Sequence, residues 1–364
     1  MRASDQEGNH GPVFRMGTMD LISFPPAKVR LALVYRLLPF LLLSCLVACS
    51  RGQSANSGTA ASEESGAATF VVNPLSLPKT GPLKIISYGD IRFMDPAERE
   101  QSHPLARRAI VAKVAQEKPD ALLVSGDIPY NGSNDADWAI MHDETKAWRE
   151  AKLRIYPSLG NHELKGDRDK GLQNWWKEFP DLKDRRWYSV QFANCYFIAL
   201  DSDTSLAPAS SQGTWLSAQL AHLPPEINFV FLTLHHPPYT DSEELNGHSA
   251  REQEKELGRR LEAMQPKMRA RLIVVAGHVH NYERFSHNGV TYLVSGGGGA
   301  SPYLFERSKN DFYQGGRAPT FHYVTFTVNG NELKSTMTKL MNPESGGPGQ
   351  WQDKDSFQLS VAGK

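Results

Sequence analysis

Two histidines one residue apart, His278 and His280, stand in the run Ala276-Gly277-His278-Val279-His280-Asn281-Tyr282-Glu283-Arg284, directly after the apolar segment Leu272-Ile273-Val274-Val275. The apolar segment reads as a buried strand, and the glycine lets the backbone turn at its carboxyl end, where α/β sheets build their sites. Four other apolar runs end in the same style. They lead into Gly89-Asp90, Gly126-Asp127, Gly160-Asn161-His162-Glu163 and His235-His236. Five strand ends thus deliver Asp90, Asp127, Asn161, His235 and the pair His278/His280. Carboxylate and amide oxygens mixed with imidazoles are metal donors, and there are enough of them for two ions.

In that order, GD…GD…GNHE…HH…GHVH, the chain resembles the calcineurin-like metallophosphoesterases from Asp90 to His280. A single GD or HH means little; the ordered set after predicted strands is specific. The resemblance implies an α/β fold in which two packed sheets form a sandwich flanked by helices in four layers. It also implies hydrolysis of phosphate esters, because two ions about 3.5–4 Å apart supply a hydroxide at neutral pH while clamping phosphoryl oxygens. By resemblance Asp127 is the shared carboxylate. Asp90, Asp127, Tyr130 and His280 would hold the first ion, and Asp127, Asn161, His235 and His278 the second.

Tyr130 narrows the resemblance to purple acid phosphatases. Most of the superfamily presents Asp-x-His at the first strand end, whereas this chain has Asp90-Ile91-Arg92; Gly126-Asp127-Ile128-Pro129-Tyr130 matches the GDxxY whose tyrosine replaces that histidine. A phenol with an ordinary pKa near 10 binds as phenolate only to a strongly acidic ion, which favours ferric iron at the first site, with zinc, manganese or ferrous iron at the second. The competing reading makes Tyr130 a packing residue after a turn. Arg92 departs from the pattern, where glycine is usual: its guanidinium either faces the phosphate or points outward to a surface acid. His162, following the ligand Asn161, is expected at the leaving oxygen, and His248 offers a second phosphate contact. Glu163 and Glu283 read as acceptors orienting histidines, and His236 as packing. Gly296-Gly297-Gly298-Gly299 lacks the lysine and helix of a P-loop and reads as a close backbone turn.

The elements that must position these residues alternate strand and helix from Leu83 onward. Helices are expected at 104–117, 135–150, 211–220 and 252–264, a hairpin at 187–200, and closing strands at 290–295, 321–328 and 332–339 with Asn329-Gly330 as a turn. Residues 82–341 form the catalytic domain on this reading, and the Gly/Pro/Ser-rich stretch 342–364 an irregular tail.

The amino terminus is set aside as targeting sequence. Lys28, Arg30 and Arg36 precede the apolar 37–48, too short and Pro-interrupted to span a bilayer comfortably, so 1–48 reads as a signal peptide. Leu46-Val47-Ala48-Cys49 resembles a bacterial lipobox, which would place the chain in the cell envelope, lipid-anchored at Cys49 or secreted. Residues 49–81 read as a tether, poor in large apolar groups over most of their length. The 40 basic and 40 acidic side chains balance and no polybasic stretch stands out, so a strongly electrostatic nucleic-acid or anionic-membrane partner is not implied. Membrane contact is expected only through the anchor, and the partner is a small phosphate ester. A phosphodiesterase or nucleotidase would use the same centre, and a non-catalytic envelope binding protein is the alternative outside enzymes.

Overall fold

Leu83–Tyr88, Ala121–Val124, Phe229–Leu234 and Arg271–Ala276 are buried almost throughout rather than on alternate residues, as expected of strands covered on both faces. The computed structural model describes residues 68–72, 81–242, 248–304 and 306–362. In it the strands form two mixed sheets flanked by helices. One sheet has the order β1 (Ala68–Val72), β5 (Tyr188–Phe192), β6 (Cys195–Ala199), β7 (Phe229–Leu234), β8 (Arg271–Ala276), β10 (Val290–Ser295) and β9 (Tyr282–His287). The other has β13 (Trp351–Ser360), β12 (Glu332–Leu340), β11 (His322–Asn329), β2 (Leu83–Tyr88), β3 (Ala121–Val124) and β4 (Ile155–Pro157).

Strands β6, β7, β8 and β10 run parallel, as do β2, β3 and β4, so within each sheet this parallel group sends its carboxyl ends in one direction. Phe231 of β7 meets Phe326 of β11 edge-on at 5.0 Å between centroids, joining the sheets through an aromatic core. Helix α1 (Pro104–Glu117) packs Ile110 and Val114 into that core; its proline at the first helical position and the His103 ring that accepts from Ala106 N–H fix its start. The opposite face of the first sheet is covered by α5 (Ser211–Ala221) and α6 (Glu252–Met264), whose Leu216, Leu220, Leu257 and Leu261 meet Ile198, Leu232 and Val274.

Three expectations need correction. The helix expected over 135–150 is two helices, α2 (Asp135–Glu144) and α3 (Lys146–Glu150), because Thr145 turns its hydroxyl back onto the Met141 carbonyl at 2.6 Å. The end of the expected tether contains β1, in which Ala68-Thr69-Phe70-Val71-Val72 pairs in parallel with β5; the β-branched content of this run outweighs its polar neighbours. The tail 342–364 is not irregular: β13 pairs antiparallel with β12 along its length. Its two-residue alternation of Phe357 and Leu359 with exposed Ser356, Gln358 and Ser360 is the signal of a half-covered edge strand, masked in the sequence by flanking glycines and prolines. Helix α4 (Arg168–Glu178) and strand β9 had not been expected.

The signal segment, the lipobox and Cys49 lie outside the described residues. Among the described residues no helix is long and apolar enough to cross a membrane. Cys195 is fully buried in β6, where burial pushes its thiol pKa up, which fits an inert core residue.

Candidate metal centre

Every expected ligand except Tyr130 follows a strand end: Asp90 after β2, Asp127 after β3, Asn161 after β4, His235 after β7, His278 and His280 after β8. The backbone there is bent hard. Asp90, Arg92, Asp127 and His278 have φ of 56°, 53°, 55° and 69°, the left-handed region that non-glycine residues seldom occupy. Gly277 and Gly296 are needed for close approach, since a Cβ on either would lie 2.5 or 2.7 Å from Asp90 Oδ2. The two sheets are stitched together at this point by His278 N–H donating to Asp90 Oδ2 (2.9 Å) and by Gly89 N–H donating to the Ser295 carbonyl (2.8 Å). The glycine run 296–299 is the close turn expected of it: Gly298 N–H donates to the Gly89 carbonyl at 3.0 Å.

One constellation centres on His235. Its Nδ1 is bound to the Ser125 carbonyl (2.9 Å), which places a proton on Nδ1 and leaves Nε2 free in the neutral ring that a cation would require. Around Nε2 stand Asn161 Oδ1 at 3.0 Å, Asp127 Oδ1 at 3.2 Å and His278 Nδ1 at 3.3 Å. These are the four residues expected at the second ion. On the other side, His280 donates from Nδ1 to the Ser301 carbonyl (2.6 Å), so its Nε2 is likewise free; it lies 3.5 Å from Asp90 Oδ1. Both of those atoms are buried without a hydrogen-bond partner. Orphaned buried acceptors are costly unless a ligand satisfies them, and Asp90, Asp127 and His235 bring donor atoms within 4.8 Å of one another. The residues therefore fit a pair of cations.

Without cations the electrostatics are strained. Burial pushes the Asp90 carboxyl up to about 8, with Asp127 adding repulsion. Burial acts the same way on Asp127, but the charges of His235, His162 and Arg92 outweigh it and hold that carboxyl well below the usual range. For His235, burial is overcome by Asp127 and Asp90, and the ring rises to about 10. Burial lowers His278 to about 2 and His162 to about 4.

His162 donates its backbone N–H to Asp127 Oδ1 (2.9 Å), rests its Nδ1 on the Tyr130 carbonyl, and holds Nε2 3.8 Å from Asp127 Oδ2. Tyr130 packs its ring 5.2 Å from that of His162, and the Lys165 ammonium lies 3.5 Å above its face. Arg92 points inward, its Nη2 3.3 Å from Asp127 Oδ2, which removes the outward reading. His248 meets His278 Nε2 through Nδ1 at 3.2 Å. His236 bonds Ser202 and packs its ring 4.3 Å from that of His278, so it shapes the site by contact. The two glutamates act differently from expectation. Glu163 accepts three backbone N–H groups, from Asp127, Ile128 and Gly160, at 3.0, 2.7 and 2.7 Å; Glu283 accepts from the Thr240 hydroxyl and the Asp241 backbone. They order loops rather than imidazoles.

The profile of the calcineurin-like phosphoesterases matches residues 83–282, which span these strand ends. The chain belongs to the calcineurin-like phosphoesterase family. It is 31% identical over 218 residues to "Probable purple acid phosphatase 20" of Arabidopsis thaliana, covering 57% of this chain and 48% of that protein. It is 25% identical over 197 residues to a phosphoenolpyruvate phosphatase of Allium cepa, covering 50% and 39%. The chain thus spans about half or less of the length of these curated relatives. A purple acid phosphatase from yellow lupin seeds shares the fold with a TM-score of 0.60 at 19% identity, over 78% of this chain and 54% of that one.

One site residue had escaped the sequence reading. Tyr303 stacks on His280 at 4.2 Å and on His248 at 4.5 Å, filling the space between them. No motif marks it: it follows the glycine run by several residues, and only the fold returns it to the histidines.

Proposed function

We propose that this chain is a two-metal phosphoesterase that hydrolyses phosphate esters, most simply phosphomonoesters, outside the cytoplasm. The observation that carries this reading is the convergence of Asp127, Asn161 and His278 on His235 Nε2, with the orphaned Asp90 Oδ1 and His280 Nε2 completing a second donor group. Asp127 would bridge, Asp90, Tyr130 and His280 would complete the first site, and Asn161, His235 and His278 the second. Ferric iron suits a site with a phenolate; zinc, manganese or ferrous iron suits the other. When bound, the ions supply the nucleophilic hydroxide and neutralise the phosphoryl oxygens.

The chain's own groups do the rest. Ser125 and Ser301 carbonyls hold His235 and His280 in the tautomer that presents Nε2. His162, fixed through its backbone to Asp127, serves the leaving oxygen, and His248 and Arg92 flank the phosphate position. The phosphatase names of both curated relatives support the monoester reading. The lipobox-like Leu46-Val47-Ala48-Cys49 supports an envelope location with an acylated Cys49. Metal analysis of the purified protein, with p-nitrophenyl phosphate and bis(p-nitrophenyl) phosphate as substrates, tests the proposal. Two ions per chain and monoester turnover that stops on chelation are expected; a metal-free protein or one without turnover on either ester would overturn it.

A further inference from the structure

Arg92 is held unusually firmly for a long side chain beside a strand end. Its N–H donates to the Asp127 carbonyl at 3.1 Å, and its own carbonyl accepts from Ser102 Oγ (3.2 Å) and Arg107 Nη1 (2.9 Å). Arg107 is itself fully buried and forked onto Glu144 by two bonds of 2.8 Å. The left-handed φ of 53° at Arg92 is thereby pinned on both sides.

The guanidinium is only partly used. Nη2 reaches Asp127 Oδ2 at 3.3 Å, a single long contact rather than a fork, and its charge also acts on the neighbouring Tyr303 hydroxyl, opposing the upward push that burial gives that group. Nε is buried with no partner, although the side chain is only 9% exposed. Tyr303 cannot swing away: its ring is clasped between His280 and His248, its N–H donates to the His280 carbonyl (3.1 Å) and its carbonyl accepts from Asn281 Nδ2 (2.9 Å). A buried guanidinium with an open N–H, adjoining a carboxylate expected to bind cations, is a built contact for an anionic oxygen.

We propose that Arg92, positioned by Tyr303, selects phosphomonoesters over diesters by binding the third terminal oxygen that only a monoester offers. A monoester dianion has three terminal oxygens sharing two charges; a diester has two sharing one, and an alkyl group occupies the place of the third. Arg92 therefore gains a charge-assisted bond with the first substrate and meets a neutral ester oxygen in the second. Arg92 touches the substrate on this account, and Tyr303 is a positioning residue. This inference rests on the phosphoesterase reading and deepens it.

The test compares wild type, Arg92→Gln, Arg92→Lys and Tyr303→Phe, each loaded with metal and checked for metal content and thermal midpoint. The kcat/KM ratio of p-nitrophenyl phosphate to bis(p-nitrophenyl) phosphate should fall about tenfold or more in Arg92→Gln, with Arg92→Lys recovering part of it. Tyr303→Phe, which deletes only a hydroxyl, should lower the ratio severalfold, mainly through the monoester KM. Calorimetry gives a readout independent of turnover: inorganic phosphate should bind Arg92→Gln about tenfold more weakly, while dimethyl phosphate binds it as it binds wild type. A folded, metal-replete Arg92→Gln or Tyr303→Phe with an unchanged ratio would overturn the proposal, as would equal weakening of both anions. Wild type that turns over neither ester would instead defeat the enzyme reading, and the calorimetric comparison would still decide the role of Arg92.

Discussion

Asp127 Oδ1 lies 3.2 Å from His235 Nε2, although the two residues leave different sheets, Asp127 at the end of β3 and His235 at the end of β7. The centre therefore exists only when the sandwich is closed. The bond from His235 Nδ1 to the Ser125 carbonyl crosses the same boundary and fixes the ring that faces Asp127. Asp127 Oδ2 faces Arg92 and His162 on the other side, at 3.3 and 3.8 Å.

Replacing Glu163 by Gln should damage both fold and site. The carboxylate accepts three buried N–H groups, one of them from Asp127 itself, and an amide nitrogen turned toward those donors would leave at least one without an acceptor. A loss of about 2 kcal/mol or more is expected in denaturant unfolding, together with weaker metal retention. A variant as stable as wild type would show that the loop is held by other contacts.

Glu283 should make stability depend on pH. Burial, helped by Asp311 and Asp241, pushes its carboxyl up to about 8, well above the ordinary glutamate value of 4.5. The folded chain then binds this proton more tightly than the unfolded chain, so the contribution is fully present below the ordinary value and is lost as pH rises toward 8. Glu283→Gln should remove that loss, and its thermal midpoint relative to wild type should rise between about pH 5 and about pH 8. Parallel curves would mean that the group titrates normally.

If the first ion is ferric and Tyr130 is its phenolate, the iron-loaded protein is coloured by a charge-transfer band in the visible. Tyr130→Phe should abolish the band and leave the fold intact, because the ring still packs against His162 beneath Lys165. Colour that survives the substitution would remove Tyr130 from the ligand set.

The candidate ligands other than Tyr130 could be picked out because each comes within four residues of the end of an apolar strand with a glycine or a second histidine beside it, and such punctuation survives in one dimension. The extents of α1, α6 and β10 were legible for the same reason, with clear periodicity and definite ends. Tyr303 was not, since its place depends on how the chain after β10 returns over His280 and His248. The direction of Arg92 was open until the backbone bonds to Asp127, Ser102 and Arg107 fixed it. Strand β13 was hidden because an edge strand that keeps one face in solvent carries Asp353, Lys354 and Asp355 in sequence, which locally reads as loop. The roles of Glu163 and Glu283 were missed because a carboxylate next to histidines suggests an imidazole partner, whereas bent strand ends free backbone N–H groups that need acceptors first.

The central claim is that Asp127 joins two ions into one catalytic centre, and elemental analysis of wild type and Asp127→Asn, run beside p-nitrophenyl phosphate turnover, tests it most directly. Wild type should hold two ions per chain, and the variant, with one bridging oxygen replaced by an amide nitrogen, should lose at least one of them and about a thousandfold or more of its activity. An Asp127→Asn protein that keeps both ions and near-normal turnover would contradict the account.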